Sequence, residues 1–378
     1  MSIPSSHAPQ LAANIEALTR HYTDTVLPLW RASGWNAALR LPFEALDSAS
    51  GLPLPAVRYR AMACARQLFT FAHAGQPASA DAAHAEALFA SLQDYFSDGQ
   101  GGWTYSVDPA GQPLDRTRDL YTFAFVVFAC AEYHKRSGSP AALKVMTRTT
   151  ELIEQRFADG RGLYVSTLDA DYADWGAAVL QNPIMHLTEA YLAAHGIAGD
   201  AWYGQRLQEI GAAVLERFVD PASGCVAELP RGEAGNRIEP GHQFEWFSLV
   251  MGAPALFAGS ALQAALRRAF SFAQRHGVVA DTLGVSAALA ADGTVLDTTQ
   301  RIWAQTEFAR ALAVEGSAAS LDTLSQWAVQ FRARFLHAGG WHEVLAPNGE
   351  VLRPDMPSTT PYHLLGAYQA LQAVANGV

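Results

Sequence analysis

Two short stretches carry the residue types that proton chemistry needs. QNPIMHLTEA (181–190) and EPGHQFEW (239–246) each place a histidine three residues before a glutamate, just after a proline. Residues three apart share one face of a helix, so His186 meets Glu189 and His242 meets Glu245. Downstream, RIWAQTE (301–307) supplies Arg301, Trp303, Gln305 and Glu307, and DMPSTTPYHLLGAY supplies His363 just after another proline. Histidine exchanges protons near neutral pH, with an ordinary pKa of about 6.5, and nearby carboxylates orient it and tune it. A helix N-terminus favours neutral imidazole and a developing oxyanion. A metal alternative exists, because His/Glu pairs on facing helices build di-metal sites. Those sites use Glu-x-x-His with bridging glutamates, the reverse order to this one, so no metal is expected.

Positioning these residues is the task of a repeat. Hairpin-like stretches begin at Gly101, Gly160, Ser223, Gly284 and Gly339, with a degenerate copy, LPFEALDSASGLPL, at Leu41, spaced roughly 55 to 65 residues apart. Between them run paired helical patterns, approximately 8–33, 53–74, 80–97, 115–137, 139–157, 177–195, 199–218, 239–252, 258–276, 299–314, 318–337 and 357–375. Punctuation such as HAGQPAS, RSGSP and EGSAAS separates the pairs. Six similar helical hairpins predict an all-α fold, an (α/α)6 barrel with short β-hairpin loops at one mouth, in one domain spanning 1–378. The helices after each hairpin carry polar residues near their starts, Arg58, Tyr121, His186, His242, Glu307 and His363, and are expected to form an inner ring.

Composition narrows the partners. Acidic side chains number 36 against 26 basic ones, a net charge of −10, which opposes nucleic acid and anionic membranes. The uncharged run Phe247–Leu266 is broken by Gly252, Pro254 and Gly259, so it reads as helix, turn and helix rather than a membrane span. Three widely spaced cysteines, Cys64, Cys130 and Cys225, give no disulfide framework, and the start MSIPSSHAPQ does not read as a signal peptide. A cytoplasmic protein is expected. Neither a phosphate loop nor a dinucleotide glycine pattern nor a nucleophile elbow is present, and oligomeric state is left open. The inventory of histidines, carboxylates, arginines and aromatics suits proton transfer on a small polyhydroxy compound.

NPIMHLTEA, RIEPGHQFEW, RIWAQTE, GGWHE and MPSTTPYHLL, in that order, resemble the N-acylglucosamine 2-epimerase superfamily, in particular its aldose–ketose isomerase branch. The resemblance implies an (α/α)6 barrel, no metal or organic cofactor, and a monosaccharide substrate. It implies His242 and His363 as the acid–base pair moving a proton between C1 and C2 through a cis-enediol. Arg58, Tyr121, Asn182, His186, Arg237, Glu245, Trp303 and Glu307 are implied to position substrate, with Glu245 orienting a histidine. The STTPYHLL ending favours D-mannose to D-fructose, with D-lyxose to D-xylulose as a side activity. A sugar 2-epimerase, a glycosidase and a non-enzymatic carbohydrate- or protein-binding module are the alternatives.

Overall fold

The computed structural model describes residues 8–76 and 78–377, in two compact units. One comprises the chain up to Pro28, Asp47–Gly51 and everything from Phe218 onward; the other comprises Leu29–Leu46 and Leu52–Arg217. In the second unit the helices Ala61–Ala74, Leu120–Ser137 and Gln181–Ala198 pack in succession. Each also packs on the helix that follows it, Ala80–Phe96, Pro140–Arg156 or Ala201–Arg217. In the first unit Pro240–Met251, Ile302–Glu315 and Thr360–Ala375 form the corresponding succession, backed by Ala261–Gly277, Ala318–Phe335 and the N-terminal Ala8–His21. The last helix therefore finds its outer partner at the start of the chain. The expected segment 8–33 is not one helix: a π-helical turn, Tyr22–Val26, and a short helix, Leu27–Arg31, follow His21.

Two different devices start the two kinds of helix. Four outer helices begin at serine caps, where the hydroxyls of Ser79, Ser139, Ser260 and Ser317 accept from an amide in the first turn. These serines stand in the punctuation between the two helices of each pair. The inner helices start one to eight residues later than the helical pattern predicts, because the preceding residues are extended and pair with the hairpin of the next repeat. Tyr59–Arg60 pairs with Ser106–Val107, Arg118–Asp119 with Thr167–Leu168, and Gln300–Arg301 with Val344–Leu345. The bridge between Ile238 and Leu289 repeats the pattern. Backbone amides that helix starts leave without partners are thereby held by strand neighbours.

Inner helices are buried nearly all round, as Pro240–Val250 illustrates. Polar residues on such a helix must find partners inside the protein, which is why their positions are informative. The apolar run after Phe247 resolves into Pro240–Met251, the short Pro254–Phe257 and Ala261–Gly277. Among the described residues no helix is long and apolar enough to cross a membrane. Cys64, Cys130 and Cys225 are free and buried, and burial pushes their thiols up, that of Cys225 to about 12, so none is poised as a thiolate.

Candidate active site

Gln243 explains how the start of Pro240–Met251 is assembled. Its Oε1 accepts from the Val226 amide at 2.7 Å and its Nε2 donates to the Val226 carbonyl at 2.8 Å. A strand-like pair of bonds thus ties the helix to the hairpin that carries Glu228. Gln305 repeats the device one repeat later, with Val285 at 2.9 and 3.2 Å. Gln243→Leu keeps the volume but strands a buried amide and carbonyl of Val226, a loss of about 2–5 kcal/mol. Urea unfolding should read that loss, together with reduced activity as Glu228 loses its support.

Glu228 is the partner of His242: its Oε1 lies 2.7 Å from Nδ1, with Glu239 Oε2 at 3.8 Å. The i, i+3 residue Glu245 does not take that role. Burial by itself lowers the His242 pKa, but the Glu228 carboxylate, its hydrogen bond and the charge of Glu239 together outweigh burial and the Arg301 charge, leaving it raised above the ordinary value. The neutral imidazole expected from the helix start alone is overridden by these carboxylates. Glu239 also accepts from Arg237 Nη2 at 2.8 Å, so Arg237 acts on the carboxylate behind the histidine.

His363 is held in the same manner from the neighbouring helix. Its Nδ1 lies 2.8 Å from Glu307 Oε1, while Arg310 approaches the other oxygen of Glu307 at 3.5 Å. Both imidazoles engage a carboxylate through Nδ1, which directs proton exchange with a bound compound to Nε2. Trp303 packs against both rings, with centroids 5.0 Å from His242 and 5.8 Å from His363. That approach requires glycine at 241, where a Cβ would stand 2.7 Å from the Trp303 ring and 2.8 Å from the Ala304 Cβ. Glu343 secures the third element: its Oε2 accepts from Trp341 Nε1 and from Thr360 Oγ1 at the start of the helix carrying His363, both at 2.8 Å.

Two groups in this unit could hold a cation. Ligand atoms of Glu228, Glu239 and His242 lie within 4.8 Å of one another, as do those of Glu245, Glu307 and His363. Glu245 thus sits beside the His363–Glu307 pair rather than orienting His242. In both groups the imidazole Nδ1 is already hydrogen-bonded to a carboxylate, an arrangement suited to acid–base work without an ion.

The second unit gathers a different set. His186 pairs with Glu189 at 3.3 Å, as the i, i+3 spacing predicts, and its ring packs against Tyr121 at 4.8 Å and Phe125 at 4.7 Å. The Asn182 Oδ1, one turn earlier, is buried with no hydrogen-bond partner among the described residues. Arg58 stands over the Tyr105 ring at 5.8 Å. The guanidinium beside Tyr121 belongs to Arg66, which donates to its hydroxyl at 2.5 Å and covers Phe125 at 4.1 Å. Among the residues that sequence reasoning missed are Arg66 and Glu228. A charged side chain within the otherwise apolar AMACARQLFTF was the available signal for the first, and an acid closing the CVAEL strand for the second.

Known proteins share this arrangement of sequence and fold. The sequence model of the N-acylglucosamine 2-epimerase family matches residues 43–367. A mannose-6-phosphate isomerase of Rhizobium meliloti is 29% identical over 373 residues, covering 92% of this chain and 94% of that protein. A D-mannose isomerase of Thermobifida fusca is 28% identical over 343 residues, with 81% of each covered. The solved cellobiose 2-epimerase of Spirochaeta thermophila superposes with a TM-score of 0.84 at 22% identity, over 98% of this chain and all of that one. Likeness at that level establishes the fold class, six helical hairpins of the (α/α)6 type, as the repeat spacing predicts.

Proposed function

The chain belongs to the N-acylglucosamine 2-epimerase family, and from that premise we propose that it is a cofactor-independent aldose–ketose isomerase interconverting D-mannose and D-fructose, with D-lyxose and D-xylulose as a secondary pair. It is an enzyme of the sugar isomerase and epimerase class. The observation that carries the finer reading is the pair of imidazoles, His242 and His363, each tethered through Nδ1 to a carboxylate and both packed on Trp303.

In this reading, one imidazole Nε2 takes the proton from C2 of the open-chain aldose. The C–H electron pair becomes the C1–C2 double bond and the carbonyl electrons move to O1, giving a cis-enediol once O1 is protonated. Returning a proton to C1 while the O2 hydroxyl proton departs leaves the C2 carbonyl of the ketose. Acid–base help of this kind contributes about 10²–10⁴-fold. The whole chain, 1–378, is taken as a single catalytic domain, which the family match across both units supports. Arg58, Arg66, Tyr121, Asn182 and His186 are assigned to substrate positioning, with Arg237, Glu245, Trp303 and Glu307. The carboxylates around both histidines weigh against a phosphorylated sugar as substrate. Three buried free thiols support the cytoplasm as its compartment.

Proton NMR of chelator-treated enzyme with D-mannose in D2O tests the assignment. Fructose appearing without added metal is the expected result. Glucose carrying deuterium at C2, with little fructose, would instead make the chain a 2-epimerase, returning the proton to the opposite face of the same carbon.

A further inference from the structure

We infer that the cavity between the N-terminal helix Ala8–His21 and the end of Ala318–Phe335 is an anion site that takes a phosphate group. The cavity measures about 450 Å³, within the usual size of small-molecule sites, and its polar lining is Asn14, His21, Arg332 and His337. Among the described residues no carboxylate lines it, although the chain as a whole carries a net charge of −10. A pocket of this composition is a local exception to the acidic protein around it.

Its donors are arranged with their charge intact. Arg332 Nη1 donates to Asn14 Oδ1 at 2.9 Å, so a neutral amide fixes the guanidinium and leaves its charge uncancelled there. The Gly339 amide donates to His337 Nδ1 at 3.2 Å, which puts the ring proton of neutral His337 on Nε2. That Nε2 is buried with no hydrogen-bond partner among the described residues. An orphaned buried donor is costly, and an anionic oxygen is the acceptor that would relieve it. His21 Nε2 is tied to the His337 carbonyl at 2.9 Å, which fixes the two histidine segments to each other. Burial lowers the pKa of His21 against the raising hydrogen bonds of the His337 and Gly340 backbone, and the Arg332 charge lowers it further.

A cation is the competing occupant, because His342 lies against His337 with ring centroids 4.7 Å apart. The three histidines do not form one of the groups whose ligand atoms converge within 4.8 Å among the described residues, and Arg332 would repel a metal ion. A guanidinium fork with the His337 Nε2 donor matches the tetrahedral oxygens of phosphate. Inorganic phosphate and the phosphate end of a phosphorylated sugar share that chemistry.

Histidine side-chain NMR of the full chain, at fixed pH and ionic strength, decides the matter, with His21 and His337 assigned from their glutamine variants. Inorganic phosphate should move both resonances saturably. Arg332→Gln should weaken binding about tenfold or more, with Arg332→Lys in between. Glucose 6-phosphate binding more tightly than phosphate at these two resonances identifies a phosphomonoester as the ligand; equal binding identifies the free ion. Absence of saturable shifts, unchanged affinity in Arg332→Gln, or a response to Zn²⁺ in place of phosphate would overturn the inference.

Discussion

Replacing His242 or His363 with asparagine should lower kcat for mannose isomerisation by about 10²–10⁴-fold while leaving the fold in place. The size follows from what each imidazole is asked to do: transfer a proton through Nε2 while Nδ1 rests on a carboxylate. Asparagine can still hydrogen-bond to Glu228 or Glu307, so the variant removes proton exchange without abandoning a buried charge. The loss should fall on kcat more than on KM, because the interaction matters most as the proton moves. Thermal unfolding should shift little. A variant retaining near-full activity would remove that histidine from the mechanism, and unequal losses would rank the two.

Legibility in the sequence differed by the kind of interaction. Periodicity and the repeated hairpins gave the helix pairs, because both reflect local patterns of apolar residues and turns. Histidines were visible because they recur after proline at the starts of buried helices. His186 found the Glu189 that its spacing predicts, at 3.3 Å. His242 has the same spacing to Glu245 yet is held by Glu228 at 2.7 Å, fourteen residues away. Helical geometry alone offers both histidines the same partner; the hairpin brought in by Gln243 supplies a nearer one. Helix starts were read too early for a related reason, since the strand pairs that delay them join one repeat to the next. Arg58 was read from its place near a helix start, whereas Arg66, inside the helix, shows its place only through Tyr121 and Phe125 packed against it. Contacts between repeats are what the linear pattern conceals.

Glu228→Gln should produce the second large effect, and its sign distinguishes orientation from mere packing. In the native protein Glu228 is the strongest influence raising His242 against the lowering effect of burial. Glutamine keeps a hydrogen-bonding oxygen but removes the charge, so the His242 pKa falls and the limb of the kcat/KM profile that reports it moves to lower pH. If the acid limb moves, His242 is the base in the direction assayed; if the alkaline limb moves, it is the acid. The rate should also fall, by about 10–10²-fold, since imidazolium formed during proton transfer loses its counter-charge. Linkage gives an independent check on stability. A histidine whose folded pKa is raised stabilises the protein fully below its unfolded pKa, and that contribution disappears as pH rises through the folded value. The native protein should therefore lose a share of its stability on going from mildly acidic to mildly alkaline pH, and Glu228→Gln should lose less over the same interval. Urea unfolding at the two pH values measures both. A variant whose activity profile stays in place while only its stability changes would make Glu228 a packing residue of the hairpin, and the raised pKa of His242 would then need its source in Glu239.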